Sequence, residues 1–252
     1  MYAEERRSAL VDFARIDGRI TVTLAADRFN VTPETIRRDL EVLDRQGVLR
    51  RVHGGAVLAE SLNLGDRSIS DRDAVASAEK ERIALAALGQ LPEPGAAIIV
   101  DAGTTTGRLA RILSNDFVVV TNSLPAAQSI SVNRPHADVR VVGGRLRGIT
   151  QAVVGSPAEF ARLRVDVAFI GTNGISVTHG FSTPDLDEAA MKDAMVRAAE
   201  KVVVLADSRK LGVETTVSFA SLDAVDVLIT DTGITDSQHQ RITDEGIEVV
   251  VA

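Results

Sequence analysis

The 252-residue chain contains no cysteine and no tryptophan, and aromatic residues make up only 3% of it. Without cysteine, disulfides, thiolate metal ligation, iron–sulfur clusters and a cysteine nucleophile are all excluded. The four histidines, His53, His136, His179 and His239, are scattered along the chain, which argues against a zinc site. So few aromatics disfavour a single-strand binder that stacks bases on its side chains. No apolar run reaches the roughly 18 residues of a membrane span. The start, MYAEERRSAL, lacks the apolar core of a signal peptide. The expectation is a cytoplasmic protein with no membrane partner and no cofactor. Lysine is also scarce, at four against 24 arginines. Arginine's planar fork is the better bidentate binder of phosphate and guanine, although codon bias accounts for most of that ratio.

What is present is ordinary for a folded protein, with 45% hydrophobic and 25% charged residues, enough for one large or two smaller domains. The net charge of −7 is unevenly spread. Residues 1–58 hold ten Arg against nine Asp/Glu, a balance of +1, and the remainder carries −8. An Arg-rich head on an acidic body suits a nucleic-acid contact confined to one end.

Along the chain, residues 4–16 space Leu10, Val11, Phe13 and Ala14 as an amphipathic helix. Ile20-Thr21-Val22 is a short β-branched stretch, and a second helix follows over residues 23–30. Thr32-Pro33 opens a third, with a hydroxyl N-cap, Pro at the first position, and Ile36, Leu40 and Leu43 inward at i, i+4, i+7. Residues 48–58 read as a hairpin around Gly54-Gly55. Three helices and a hairpin make a winged helix-turn-helix over residues 1–58. Residues 59–77 lose apolar periodicity and read as a linker. From residue 78 to 252, helical segments alternate with apolar runs such as Ala97–Val100, Phe117–Thr121, Val165–Ile170, Val202–Leu205 and Val225–Thr230. That pattern predicts an open, mostly parallel α/β sheet covered on both faces.

Two regions carry chemistry. In TPETIRRDLEVLDRQG, the first exposed turn of a major-groove helix offers Thr32, Pro33, Glu34 and Thr35, followed by Arg37 and Arg38. Arg50, Arg51 and His53 fall on the wing, where phosphate or minor-groove contact is expected. The alternative for either helical arginine is a pair with Glu34 or Glu41 one turn away. In the second region, IIVDAGTTTGRLA, a strand is followed by a tight loop and a helix that the spacing predicts over Gly107–Leu113. Asp101, Gly103, Thr104, Thr105 and Thr106 thus lie at a junction that collects backbone N–H groups and hydroxyls for an anion. It is neither G-x-G-x-x-G nor a Walker loop, which disfavours dinucleotides and ATP; the plain alternative is a Thr-capped turn. The loops at Asn122-Ser123, Gly143-Gly144 and Gly171-Thr172-Asn173-Gly174 also follow strands and are expected to converge with it at the C-terminal strand ends. Glu188 and Lys192 stand one helical turn apart, as a surface ion pair or as part of the pocket.

The run VTPETIRRDLEVLDRQGVLRRVHGGAVL resembles the N-terminal signature of the DeoR family of bacterial transcriptional regulators, in which T-I-R-R-D-L and R-x-H-G-G-A recur. The rest of the chain is similar to that family's sensor domain, so the resemblance covers nearly the full length. It implies binding of double-stranded operator DNA by the winged helix and sensing of a phosphorylated sugar by the C-terminal domain. An acidic residue and a lysine occur in such sensors where this chain has Glu188 and Lys192, and Asp207 to Lys210 supplies another basic residue, Lys210. The expected sensor fold is similar to ribose-5-phosphate isomerase, with these positions as remnants of its pocket. Here Gly-Thr-Asn-Gly stands where Gly-Ala-Asn-Gly is more usual, a departure that bears on sugar preference. The implied protein is not an enzyme but a repressor of a sugar-catabolism operon, acting as a dimer or tetramer because one small module buries too little surface for tight specific binding. The alternatives are a sugar-phosphate isomerase or deaminase with Glu188 and Lys192 as acid and base, or an activator.

Overall fold

The structure, a computed structural model, describes residues 2–17, 19–52, 54–58, 68–114 and 116–252. The N-terminal unit runs α1 (Ala3–Asp17), β1 (Arg19–Thr21), α2 (Val22–Phe29), α3 (Pro33–Arg45), β2 (Leu49–Val52) and β3 (Gly55–Leu58). Its core holds most of the residues that the apolar spacing selects, Leu10, Phe13 and Ala14 of α1 and Ile36, Leu40 and Leu43 of α3, with Val11 only partly buried; Ala25 and Ala26 of α2 and Ile20, Leu49 and Ala56 from the strands join them. Asn30 ends α2 with φ 51°, a left-handed conformation that Asn tolerates. The β-branched stretch at residues 20–21 is a third wing strand, giving an antiparallel sheet in the order β1-β3-β2. This explains the glycine pair: Gly54 turns the hairpin at φ 80°, and a Cβ on Gly55 would lie 1.7 Å from the Ile20 carbonyl oxygen of β1.

The second unit begins with α4 (Ile69–Ala74), inside the stretch read as linker, and α5 (Ser77–Ala87). It continues with β4 (Ala97–Val100), α6 (Thr104–Ile112), β5 (Val118–Thr121), α7 (Leu124–Asn133), β6 (Asp138–Val141), β7 (Arg145–Leu146), β8 (Val153–Val154) and α8 (Pro157–Phe160). Then come β9 (Val165–Gly171), β10 (Gly174–Ser176), β11 (Gly180–Thr183), α9 (Leu186–Ala198), β12 (Ala199–Leu205), β13 (Val217–Ala220), β14 (Val227–Thr230), α10 (Asp236–Asp244) and β15 (Glu248–Val251). Seven parallel strands form one sheet in the order β15-β14-β12-β9-β4-β5-β6. Its central strands are apolar on both faces because both are covered. Ile98, Val100 and Phe169 pack with Ile83 of α5, Leu109 of α6 and Ile130 of α7. Ile99, Ala168 and Ile170 pack with Phe160 of α8, Met191 and Met195 of α9 and Ile242 of α10.

From β4 the chain winds outward to β5 and β6, then returns to β9 on the other side of β4 and winds away through β12, β14 and β15. The direction reverses between β4 and β9, and such a switch point opens a crevice at the C-terminal strand ends. A small antiparallel sheet, β10-β11-β13, and the ribbon β7-β8 are additions that the alternation of helices and apolar runs does not predict. Among the described residues no helix is long and apolar enough to cross a membrane.

Candidate functional site

The DNA-facing candidates lie on α3 and the wing. Thr32 caps α3 by accepting the Thr35 N–H at 3.2 Å, and Pro33 occupies the first helical turn. Arg37 and Arg38 both project to solvent, and both reach Glu34, at 3.3 and 3.7 Å. The local pairing is therefore formed, but all three side chains are more than half exposed. Pairs of this kind contribute about 0.5 kcal/mol or less, so a phosphate or base edge can replace Glu34 as partner. Arg51 is exposed on β2, where its N–H donates to Asp44 and ties the wing to the end of α3. Arg50 precedes it in the same strand; His53 lies outside the described residues. Sequence reasoning missed Asp39, which is buried beside Leu40 and accepts from Arg6 Nε at 2.6 Å and Arg7 Nε at 3.2 Å. It locks α3 to α1. The signal was available: Asp39 lies three residues after Ile36, on the inward face.

At the switch point a cavity of about 220 Å³ opens over the ends of β4 and β9. Its floor joins three elements. Lys192 of α9 pairs with the Asp101 carboxylate and donates to the Gly171 carbonyl at 2.8 Å, while the Gly171 N–H donates back to Asp101 Oδ2 at 2.9 Å. Burial pushes the Asp101 carboxyl up, against the opposing pull of Lys192 and the Gly171 N–H. Gly103, Thr104 and Thr105 form one wall. Because α6 begins at Thr104 and not at Gly107, the threonines are its first turn and Gly103 its N-cap. Gly171, Asn173, Glu188, Lys192 and Lys210 complete the expected residues that line the cavity.

The remaining expected residues are placed outside the lining, as supports. Asp101 lies beneath Lys192. Thr106 turns inward and donates to the Asp101 carbonyl at 2.7 Å. Asn122 accepts the Ala102 N–H at 2.9 Å and so holds the β4–α6 loop from behind. Ser123 caps α7 through the Ala126 N–H. Gly143 and Gly144 belong to the turn into β7, where Gly144 packs on the Val154 carbonyl, and Gly174 packs on that of Val213. These loops follow strands as expected, but local packing uses them. Glu188 and Lys192, one turn apart, do not pair with each other on the surface. Both are buried; Glu188 pairs with Arg147 and accepts from Thr150 Oγ1 at 2.6 Å.

The polar cavity residues that sequence did not single out are Arg72, Lys80, Arg209 and Thr215. Lysine scarcity could have pointed to one of them, since three of the four lysines, Lys80, Lys192 and Lys210, line this cavity. Burial brings the Lys80 ammonium down to about 8, partly offset by Asp207. Five cations against two carboxylates, Glu188 and Asp207, line the cavity of a chain whose net charge is −7. Arg72 Nε and Nη2 and Thr215 Oγ1 are buried with no hydrogen-bond partner among the described residues. Buried donors without partners are costly, and here they belong to residues that line a cation-rich space. The arrangement suits an anionic ligand carrying hydroxyls.

A DNA-reading winged helix joined to an α/β unit with such a cavity is the build of a ligand-responsive DNA-binding regulator. A DeoR-like helix-turn-helix domain matches residues 6–62 and a DeoR C terminal sensor domain matches residues 75–232, and the chain belongs to the DeoR family of transcriptional regulators. It is 38% identical to the HTH-type transcriptional regulator GlpR of Haloferax volcanii, over 99% of this chain and 98% of that one. It is 31% identical to the glycerol-3-phosphate regulon repressor of Escherichia coli, over 99% of each. The HTH-type transcriptional repressor GlcR of Bacillus subtilis is 33% identical over 100% of this chain and 97% of that one. Among solved structures, the sorbitol operon regulator SorC of Klebsiella pneumoniae aligns with 88% of this chain and 94% of its own at 13% identity and a TM-score of 0.43. Ribose 5-phosphate isomerase of Methanocaldococcus jannaschii aligns with 52% and 53% at 19% identity and a TM-score of 0.38.

Proposed function

We propose that this regulator represses a sugar-catabolism operon, that it holds duplex operator DNA as a homo-oligomer through α3 and the wing, and that a phosphorylated sugar in the cavity releases it. The observation that carries this reading is the cation-lined cavity at the switch point, whose lining includes Arg72 and Thr215, two residues with buried polar atoms that have no hydrogen-bond partner among the described residues. Phosphate meets the first turn of α6 and the basic side chains, and sugar hydroxyls meet Asn173, Thr215 and Glu188. The names of GlcR and of the glycerol-3-phosphate regulon repressor agree with repression. Oligomerisation follows from the small surface that one winged helix buries on DNA. Residues 1–58 act as the head, 59–77 as the connection and 78–252 as the sensor, within the cytoplasm.

The sensor binds its sugar without converting it. Glu188 is engaged by Arg147 and Thr150, and Lys192 by Asp101 and Gly171, so both acid–base candidates have structural partners in place. The test is fluorescence anisotropy with DNA from upstream of the gene, titrated with a panel of sugar phosphates. One or more should release the DNA and be recovered chemically unchanged. Failure to bind any such DNA, or turnover of the sugar, defeats the reading. A useful switch needs a coupling of about 1–3 kcal/mol between the two ligands.

A further inference from the structure

We propose that Arg72 is an effector-binding residue carried by the connecting segment, so that the anion in the cavity clamps α4 onto the sensor; this rests on the reading of the cavity as the effector site. Residues 69–74 are too short a helix to persist on their own. Among the described residues, three hydrogen-bonded anchors tie α4 to the sensor. The Asp73 carboxylate accepts from Arg108 Nη2 at 2.7 Å and the Asp73 carbonyl at 3.1 Å; Lys80 donates to the Arg72 carbonyl; the Ile69 N–H donates to the Ile149 carbonyl at 2.9 Å. One of these anchors is part of the cavity and another adjoins its wall. Lys80 lines it, and Arg108 stands on α6, whose first turn forms its wall.

The Arg72 side chain completes the set from the other direction. It lines the cavity, and its Nε and Nη2 are buried with no partner among the described residues, although the backbone of the same residue is held. A guanidinium edge presenting two N–H donors matches two phosphate oxygens. Binding of the anion therefore adds a charge-assisted contact to α4, the first described element after the wing strand β3, and makes effector occupancy a determinant of how firmly the connection is seated.

The test uses the full chain with inorganic phosphate, glucose 6-phosphate, fructose 1-phosphate, ribose 5-phosphate and glycerol 3-phosphate as probes, scored by melting temperature and calorimetry. With the tightest of these, Arg72→Ala should bind about ten- to a hundredfold more weakly, and Arg72→Lys, which keeps charge without the fork, should fall between. In the wild type, saturation with that probe should slow hydrogen exchange of the 69–74 amides, a readout that stands even if the alanine variant fails to fold. Binding by Arg72→Ala within about twofold of wild type, or exchange at 69–74 that ignores the probe, overturns the proposal. If Thr105→Val loses the probe while Arg72→Ala keeps it, this proposal fails and the cavity reading stands. If none of the five probes raises the wild-type melting temperature, the cavity reading fails and this inference falls with it.

Discussion

Lys192 and Asp101, 91 positions apart, form a buried ion pair that the Gly171 peptide closes on both sides. Their side chains are 5% and 1% exposed. Neither charge could be left alone at that depth, because desolvation of an ion outweighs what unassisted burial returns. Each is kept by the other and by the peptide of β9, so the ends of β4 and β9 are joined to the middle of α9 at one point. Cavity walls built on those three elements inherit that rigidity.

Replacing Lys192 by Met removes one partner and strands the other. The expected loss is about 3–5 kcal/mol of sensor stability, and the double variant Asp101→Asn/Lys192→Met should recover part of it. Urea unfolding of Lys192→Met, Asp101→Asn and the double variant measures both. Purely additive losses would show that the two groups do not act as a pair.

The loop before α6 tests the anion site separately. A Cβ at Gly103 would lie 2.9 Å from Thr106 Oγ1, the hydroxyl that holds the turn, so Gly103→Val should deform the wall. Thr105→Ala removes a hydroxyl from the lining. Both should diminish the rise in melting temperature that a sugar phosphate produces by mass action; a normal rise in both variants removes the loop from the site.

On α3, Arg37→Ala and Arg38→Ala should each weaken operator binding. If the lost contact is to phosphate, the slope of log affinity against log salt should shrink by about one per arginine. Stability should change by no more than about 0.5 kcal/mol, since each arginine loses only an exposed pair with Glu34. Anisotropy across a salt series gives affinity and slope together, and unchanged values for both variants would place the DNA elsewhere.

Lys80 should make effector binding sensitive to alkaline pH. With the ammonium held near 8 by burial, Lys80 is charged at pH 7 and mostly neutral at pH 9. A bound anion favours the charged form, so binding above pH 8 must also recruit a proton, and affinity falls as pH rises through that range. Phosphate esters, with their second ionisation near 6, stay doubly charged throughout. Calorimetry at pH 7 and 9 should show the fall in the wild type and a flatter profile in Lys80→Gln; equal profiles would remove Lys80 from the ligand.

The parts legible in the sequence are those whose cause is local. The Thr32 cap, Pro33 and the Ile36/Leu40/Leu43 stripe define α3 within a dozen residues. The sheet strands show as apolar runs because helices cover both faces. The β10-β11-β13 sheet was not legible. Its strands are three or four residues long, β10 and β11 are buried along their whole length, so alternation is absent, and Phe181 finds its partner at Ala220. The start of α6 was misplaced because three consecutive threonines read as turn or strand until Gly103 is seen to cap them.

By itself, then, the sequence determined the reading head, the α/β alternation and the strand-end loops, since caps, periodicity and turn residues act over a few positions. Tertiary structure alone decided which charged groups meet. Glu188 and Lys192 are neighbours on one helix, yet Glu188 turns to Arg147 and Lys192 to Asp101, and Arg72 enters the cavity from a segment that reads as linker. A buried charge takes the partner that the fold leaves within reach once water is gone, and spacing along the chain carries no record of that distance.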